Sequence, residues 1–389
     1  MTALGENLYP PTRAAVYIGP ARLQRAGARV NHPLFSVPRL ALTLDLIRHC
    51  GALQDGEYRL GRIAEIHELA AFHTAAYIEA LAQASARGHA QHLDRERFSL
   101  GTLENPIFPG LFESAGFATG ASLVGVDAVL AGETAFNPAG GMHHARPARA
   151  AGFSYFNDAV LAIFKLRAAG KRVLYVDIDA HFADGVAAAF DDAREVCVLS
   201  LHMDTAYAYP FAGGAVDDYG RAGTGINVPL PRGTHDAEYR LVFDALWPAA
   251  MRDFAPDVIV LQAGTDILAG DPLGKFRVST DAFLDVVRII RDSGRPLLVL
   301  GGGGYHPVLL ARCWLGVWAL LSGRALPAAL PPAAQDLLVG IEWDLDDDED
   351  PHLVSRTQSR LDGATSAPVR GEIVALLERL RAHPLLRSL

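Results

Sequence analysis

The segment VLYVDIDAHFADG, residues 173–185, contains the pattern that decides the fold. It opens with apolar residues at consecutive positions, as in a strand covered on both faces, and such strands belong to parallel sheets flanked by helices. The run ends in Asp177, Asp179 and His181 at spacing i, i+2, i+4, which a strand's period of two would aim to one side. Carboxylates at the end of an apolar strand are costly unless paired or bound to a cation, and open α/β sheets bind ligands at the carboxyl ends of their strands. The pattern reads as a metal site. A set of strand-end caps and surface salt bridges is the alternative.

Outward from this segment, Ala14–Ile18, Arg172–Ile178, Val196–Leu201, Val258–Gln262 and Pro296–Leu300 form short runs rich in β-branched residues. Helical patterns separate them at Pro38–Cys50, His73–Ala86, Leu111–Leu130, Asn157–Ala169, Asp236–Arg252, Thr280–Asp292 and Val308–Leu321. This alternation predicts an α/β fold with a central, mostly parallel sheet covered by helices on both faces. Gly- and Pro-rich punctuation at Pro138–Gly141, Gly213–Gly225 and Gly301–Gly304 falls between elements, and no low-complexity linker divides the chain. Residues 1–389 therefore read as one domain. Residues 327–389 read as a peripheral extension, with an acidic run at Asp344–Asp350 and a last amphipathic helix near Glu372–Ala382.

Half of the 389 residues are hydrophobic and 20% are charged, enough for a large core. The formal charge of −9, with no basic run, argues against a nucleic-acid surface, which must neutralise phosphates with clustered Lys and Arg. Cys50, Cys197 and Cys313 are far apart in apolar surroundings, which predicts buried thiols in a reducing compartment rather than a disulfide framework. The start, MTALGENLYPPTR, shows no basic n-region followed by an apolar h-region, and no apolar run reaches the roughly 18 residues of a membrane span. The expectation is a cytoplasmic protein with no membrane or nucleic-acid partner.

A second apolar strand, DVIVLQAGTD, ends in Asp266, which could add an oxygen ligand to Asp179 and His181. Three protein ligands with an open position are the arrangement of a catalytic zinc, although oxygen-rich ligation also suits Fe(II) or Co(II). In NPAGGMHHA, the adjacent His143 and His144 follow a flexible Gly pair. They could form a proton-transfer dyad, a weak metal site or an unremarkable loop. In LLVLGGGGYHP, glycines permit close approach of the backbone to a ligand, and Tyr305 could donate to a developing oxyanion or simply fill the core.

Taken in order, NPAGGMHHA, GFSYFNDAV, VLYVDIDAHFADG, SLH, LQAGTDILAGDPLGKF and LGGGGYHP resemble the histone deacetylase family, including the bacterial deacetylase-like and acetoin-utilisation proteins. The resemblance runs from about Arg39 to Leu321. It implies an arginase/deacetylase-like fold and a zinc-dependent hydrolase of linear amides, with Asp179, His181 and Asp266 as metal ligands. His143 and His144 match the general acid/base pair, Asp177 and Asp184 their carboxylate partners, and Tyr305 the oxyanion-stabilising tyrosine. A potassium ion is also implied, on main-chain oxygens of Asp177, Asp179, His181 and Leu201 and the side chains of Asp177 and Ser200. Phe153, Tyr209 and Leu273 match tunnel-wall positions, Glu104 a rim carboxylate, and Arg39 an arginine beside an inner product channel.

Many relatives have His-Gly where this chain has Phe182-Ala183, and most have phenylalanine in place of Tyr209, which implies a more crowded pocket beneath the metal and a more polar tunnel wall. The implied substrate is an acetylated lysine peptide, with an acetylpolyamine or other small acetylated amine as the alternative. A silent module that binds acetylated amines is a reading of another class. An arginase-like dinuclear site is excluded, because its bridging carboxylates would stand where this chain has Ala183 and Leu268.

Overall fold

The computed structural model describes residues 13–21, 37–343 and 367–389. Eight strands run in chain order: β1 Ala15–Gly19, β2 Tyr58–Leu60, β3 Thr134–Asn137, β4 Val173–Asp177, β5 Val196–Met203, β6 Gly225–Leu230, β7 Val258–Gln262 and β8 Leu297–Leu300. They form one sheet in the order β2-β1-β3-β8-β7-β4-β5-β6, and every pairing is parallel. β2, β3 and β6 escaped the sequence reading. β2 is three residues long, β3 has Thr and Asn at its ends, and β6 contains Pro229, so none is a long β-branched run.

The two-residue period of a strand divides the core. In β4, Leu174 and Val176 pack on one side of the sheet with the helices Arg39–His49, Asp236–Phe254, Thr280–Asp292 and Pro307–Leu321. Val173 and Tyr175 pack on the other side with the helices Leu111–Leu130 and Asp158–Ala168. β5, β7 and β8 alternate in the same way, which is why their sequences are continuously apolar. Each such Leu or Val side chain stabilises the fold by about 1.5–3 kcal/mol relative to an exposed one. All three cysteines are buried and free.

Beyond residue 327, the helix Pro332–Val339 buries Ala334 and Leu338 in the main core, and the helix Gly371–Leu380 adds Ile373, Leu376 and Leu380 to it. Arg370 fixes the start of the last helix by donating to the fully buried Glu238, to Thr234 Oγ1 and to the carbonyl of Arg232. The acidic run at 344–350 lies outside the described residues. Among the described residues, no helix is long and apolar enough to cross a membrane.

A fully parallel sheet puts the carboxyl ends of all its strands on one edge. Register aligns Asn137, Leu300, Gln262, Asp177 and Ser200 in one row across β3, β8, β7, β4 and β5. The segments that leave this row carry His143 and His144 after β3, Asp179 and His181 after β4, Asp266 after β7 and Tyr305 after β8.

Candidate active site and metal centre

Extended structure in the decisive segment stops at Asp177, so Asp179 and His181 lie on the turn beyond β4 and not on the strand itself. Strand periodicity therefore does not aim the three side chains together. Instead they part: Asp177 Oδ2 meets His143 Nδ1 at 2.8 Å, while Asp179 and His181 turn toward Asp266. His181 Nδ1 lies 3.1 Å from Asp179 Oδ1 and 3.0 Å from Asp266 Oδ2. Ligand atoms of these three residues all fall within 4.8 Å of one another.

Asp179 is 1% and Asp266 0% exposed. Burial and the charge of Asp179 push the Asp266 carboxyl up. Two buried carboxylates this close repel, a conflict that His181 partly offsets and that a divalent cation at these atoms removes. The donor set, two carboxylate oxygens and one imidazole, fits such an ion. Other lone pairs orient the set: Gln262 Nε2 and the Gly303 N–H both donate to Asp179 Oδ2 at 2.8 Å, and the Ala180 N–H donates to Asp266 Oδ1 at 2.8 Å. The glycine run after β8 is explained by the same closeness. A Cβ on Gly303 would stand 2.1 Å from Asp266 Oδ2 and 2.8 Å from Asp179 Oδ2.

His143 and His144 are both buried, with Nε2 atoms 3.0 Å apart. His144 Nδ1 meets Asp184 Oδ1 at 2.7 Å, and Arg146 donates to Asp184 Oδ2 at 2.7 Å. Burial lowers the His143 imidazole, but Asp177, Asp179 and Asp184 outweigh it and push the ring up to about 9. Burial and the charge on His143 pull His144 down to about 4 against the opposite pull of Asp184. The Nε2–Nε2 approach gives a direct path for a proton between the two rings.

The loop bearing the pair is held from the helix Asp158–Ala168. Asn157 caps that helix by accepting from the Val160 N–H, and its amide donates to the carbonyls of His143 and Ala145. The Asp158 carboxylate accepts from the N–H groups of Gly141 and Met142 and from Ser122 Oγ. The sequence marked Asn157 as a helix start, but it contains no sign of these long-range bonds. Tyr175 and Gln262 were also missed. Tyr175 stands two residues before Asp177 on one strand face, and Gln262 is a polar end to an apolar strand, signals that a strand period could have caught.

A cavity of about 340 Å³ leads to this cluster and is lined by Glu104, Phe153, Tyr209, Leu273, Tyr305, His144 and His181. Phe153 and Tyr305 have ring centroids 5.8 Å apart, and Tyr209 lies edge-on to His144 at 4.8 Å. Arg39 donates to the Gly304 carbonyl, and its guanidinium lies 5.8 Å from the centroid of the Tyr305 ring. It borders both a small cavity of about 60 Å³ at the ligand cluster and a cavity of about 600 Å³ beyond. Ser200 and Leu201 are fully buried on β5, where Ser200 pairs with Asp177. Phe182 corrects an expectation. Expected to crowd the pocket beneath the metal, it lines neither cavity at the ligand cluster and packs against His202 at 4.8 Å, on the wall of a separate cavity with Arg146 and Asp184.

Fold and site together define an α/β protein with a buried Asp-His-Asp candidate ligand cluster and two histidine-carboxylate pairs at the foot of one cavity. A family model described as a histone deacetylase domain matches residues 32–321. The chain belongs to the histone deacetylase family of hydrolases. It is 37% identical over 302 residues to histone deacetylase 8 of Xenopus tropicalis, covering 76% of this chain and 81% of that protein. It is 35% identical over 328 residues to histone deacetylase RPD3 of Saccharomyces cerevisiae, covering 82% and 74%. Among solved structures, an HDAC homolog complexed with SAHA superposes with a TM-score of 0.90 at 38% identity, over 95% of this chain and 100% of that one. An HDAC homolog from Aquifex aeolicus gives 0.89 at 37% identity, with the same coverage.

Proposed function

We propose that this chain is a metal-dependent deacetylase that hydrolyses the acetamide of acetyl-lysine in proteins or peptides. The observation that carries the reading is the convergence of Asp179, His181 and Asp266 beside two carboxylate-paired histidines and Tyr305 at the end of one cavity. The three ligands would hold zinc, with Fe(II) or Co(II) also compatible with the donors. Bound there, the ion would lower the pKa of a water toward about 7 and polarise the acetyl carbonyl.

The residues around it supply the rest. Phe153, Tyr209 and Leu273 would enclose the aliphatic chain of the substrate and exclude water, and Glu104 would accept from its backbone N–H groups. His143 and His144, each oriented by its carboxylate, would take up a proton and return one to the leaving amine. The Tyr305 hydroxyl would donate to the developing oxyanion. Arg39, between the ligand cluster and the larger cavity, would border the way out for acetate. Potassium would sit beside the row position shared by Asp177 and Ser200, on main-chain oxygens of Asp177, Asp179, His181 and Leu201 and the side chains of Asp177 and Ser200. A reducing, cytoplasmic setting suits the three free thiols.

A second reading, hydrolysis of an acetylpolyamine, is favoured by Glu104 at the mouth, whose carboxylate would also attract ammonium groups. The test compares kcat/KM for an acetyl-lysine peptide and an acetylated polyamine, in the wild type and in Glu104→Ala. The peptide should be the better substrate. A polyamine preferred by more than about tenfold, roughly 1.4 kcal/mol in transition-state binding, would overturn the reading. Binding of both without turnover would identify a silent module.

A further inference from the structure

The mouth of the cavity carries chemistry that hydrolysis does not use. Among the described residues, its lining includes two exposed cations, Arg232 and Lys275, against one carboxylate, Glu104. Neither cation forms an ion pair among the described residues, although Lys275 Nζ donates to the Pro272 carbonyl at 2.7 Å. Their backbones are nonetheless fixed. The Gly233 N–H donates to the Lys275 carbonyl at 2.7 Å, and Arg370 Nη1 donates to the Arg232 carbonyl at 3.0 Å.

Large apolar side chains border the same opening. Tyr207 and Phe211 line it while 61% and 68% exposed. Exposed apolar groups gathered at a binding mouth mark contact with a macromolecule, and a small free amine held inside the cavity would leave them in water. The cations beside them are complementary to negative charge. The net charge of −9 acts in the opposite sense, but beyond a Debye length of about 8 Å at physiological salt it is largely screened, so the nearby cations decide local preference.

We infer that the mouth docks acidic peptide segments, so that this enzyme selects acetyl-lysine flanked by Asp or Glu over acetyl-lysine in a basic segment. Arg232 and Lys275 pair with the flanking carboxylates, and Tyr207 and Phe211 cover the apolar parts of the same segment. The inference deepens the acetyl-lysine reading and rests on it for the placing of the acetylated chain.

Two fluorescently labelled acetyl-lysine peptides of equal length, one flanked by Asp and one by Lys, separate the alternatives. Anisotropy measures binding of each whether or not it is hydrolysed, and initial rates measure kcat/KM. The acidic peptide should bind about three- to tenfold more tightly at low salt, the gain expected of two exposed charge pairs, and the gap should narrow in 0.5 M salt, where the Debye length falls to about 4 Å. Arg232→Glu with Lys275→Glu should abolish or invert the preference, and the single variants Arg232→Gln and Lys275→Gln should each remove part of it. Equal binding of the two peptides, a basic preference, or a ratio unchanged in the double variant would overturn the inference. Hydrolysis of neither peptide would sink the deacetylase reading, and the anisotropy ratio would still decide the docking preference.

Discussion

Tyr175 donates its hydroxyl to Asp177 Oδ2 at 2.6 Å, the same carboxylate oxygen that His143 Nδ1 meets at 2.8 Å. The two residues are i and i+2 on β4, so strand geometry places the phenol and the carboxylate on one face. Asp177 is completely buried, and each bond it loses exposes an acceptor that water cannot reach.

Tyr175→Phe removes that donor and almost no volume. The variant should lose about 1–3 kcal/mol in urea unfolding, the range for one hydrogen bond to a buried carboxylate, and its turnover should fall because the carboxylate that orients His143 is less firmly held. Wild-type stability together with wild-type turnover would show that the bond does neither.

Metal content offers a separate check. Extensively dialysed protein should retain about one divalent transition ion per chain, and a chelator should abolish activity and lower the melting temperature, because the bound ion stabilises only the folded state. Asp266→Asn should lose most of the ion. Gly303→Ala should lose it too, since its Cβ would stand 2.1 Å from Asp266 Oδ2. Two tightly held manganese ions would contradict the three-ligand site.

Tyr305→Phe separates oxyanion stabilisation from metal binding. Turnover should fall by about 10²- to 10³-fold while metal content and melting temperature stay unchanged. Near-normal turnover would remove Tyr305 from the chemistry. Replacing both His143 and His144 with Ala should cost far more than His89→Ala, because His89 is exposed and, among the described residues, bonds the Arg87 carbonyl alone.

The Arg370–Glu238 pair predicts an acid-sensitive attachment of the last helix. Burial pushes the Glu238 carboxyl up, but the Arg370 bonds overcome it and hold the carboxyl below its ordinary value of 4.5. A depressed folded-state value means stability that is present above pH 4.5 and is lost as pH falls through the folded-state value. Arg370→Met should cost about 2 kcal/mol at pH 7, less than a fully buried pair because the guanidinium is 35% exposed. Its stability should also fall less steeply than that of the wild type on acidification below pH 4.5, as thermal melts across pH would read.

The alternation of the longer strands with helices, and the concentration of chemistry-bearing residues just after strands, were legible in the amino-acid sequence because both follow from local pattern. Consecutive apolar residues in β4, β5, β7 and β8 report burial on both faces, and Asp266 or Tyr305 can be seen to follow them. Partnership was not legible. Nothing local distinguishes Asp177, which receives His143, from Asp179, which turns to His181 and Asp266, because the strand ends between them and the period of two ends with it.

Short or polar elements were hidden for a related reason. β3 is held by β1 and β8 on either side, a non-local pairing that its four residues, with Thr134 and Asn137 at the ends, do not announce. The packing of Phe182 was equally invisible, since only His202 and the loop 213–214 decide what its ring rests against. Sequence by itself thus determined the kind of fold, through burial periodicity, and an inventory of candidate ligands and proton carriers. Tertiary structure alone decided which of them meet. The parallel order β3-β8-β7-β4 brings four strand ends, distant in the chain, to one edge, and hydrogen bonds across it select each partner.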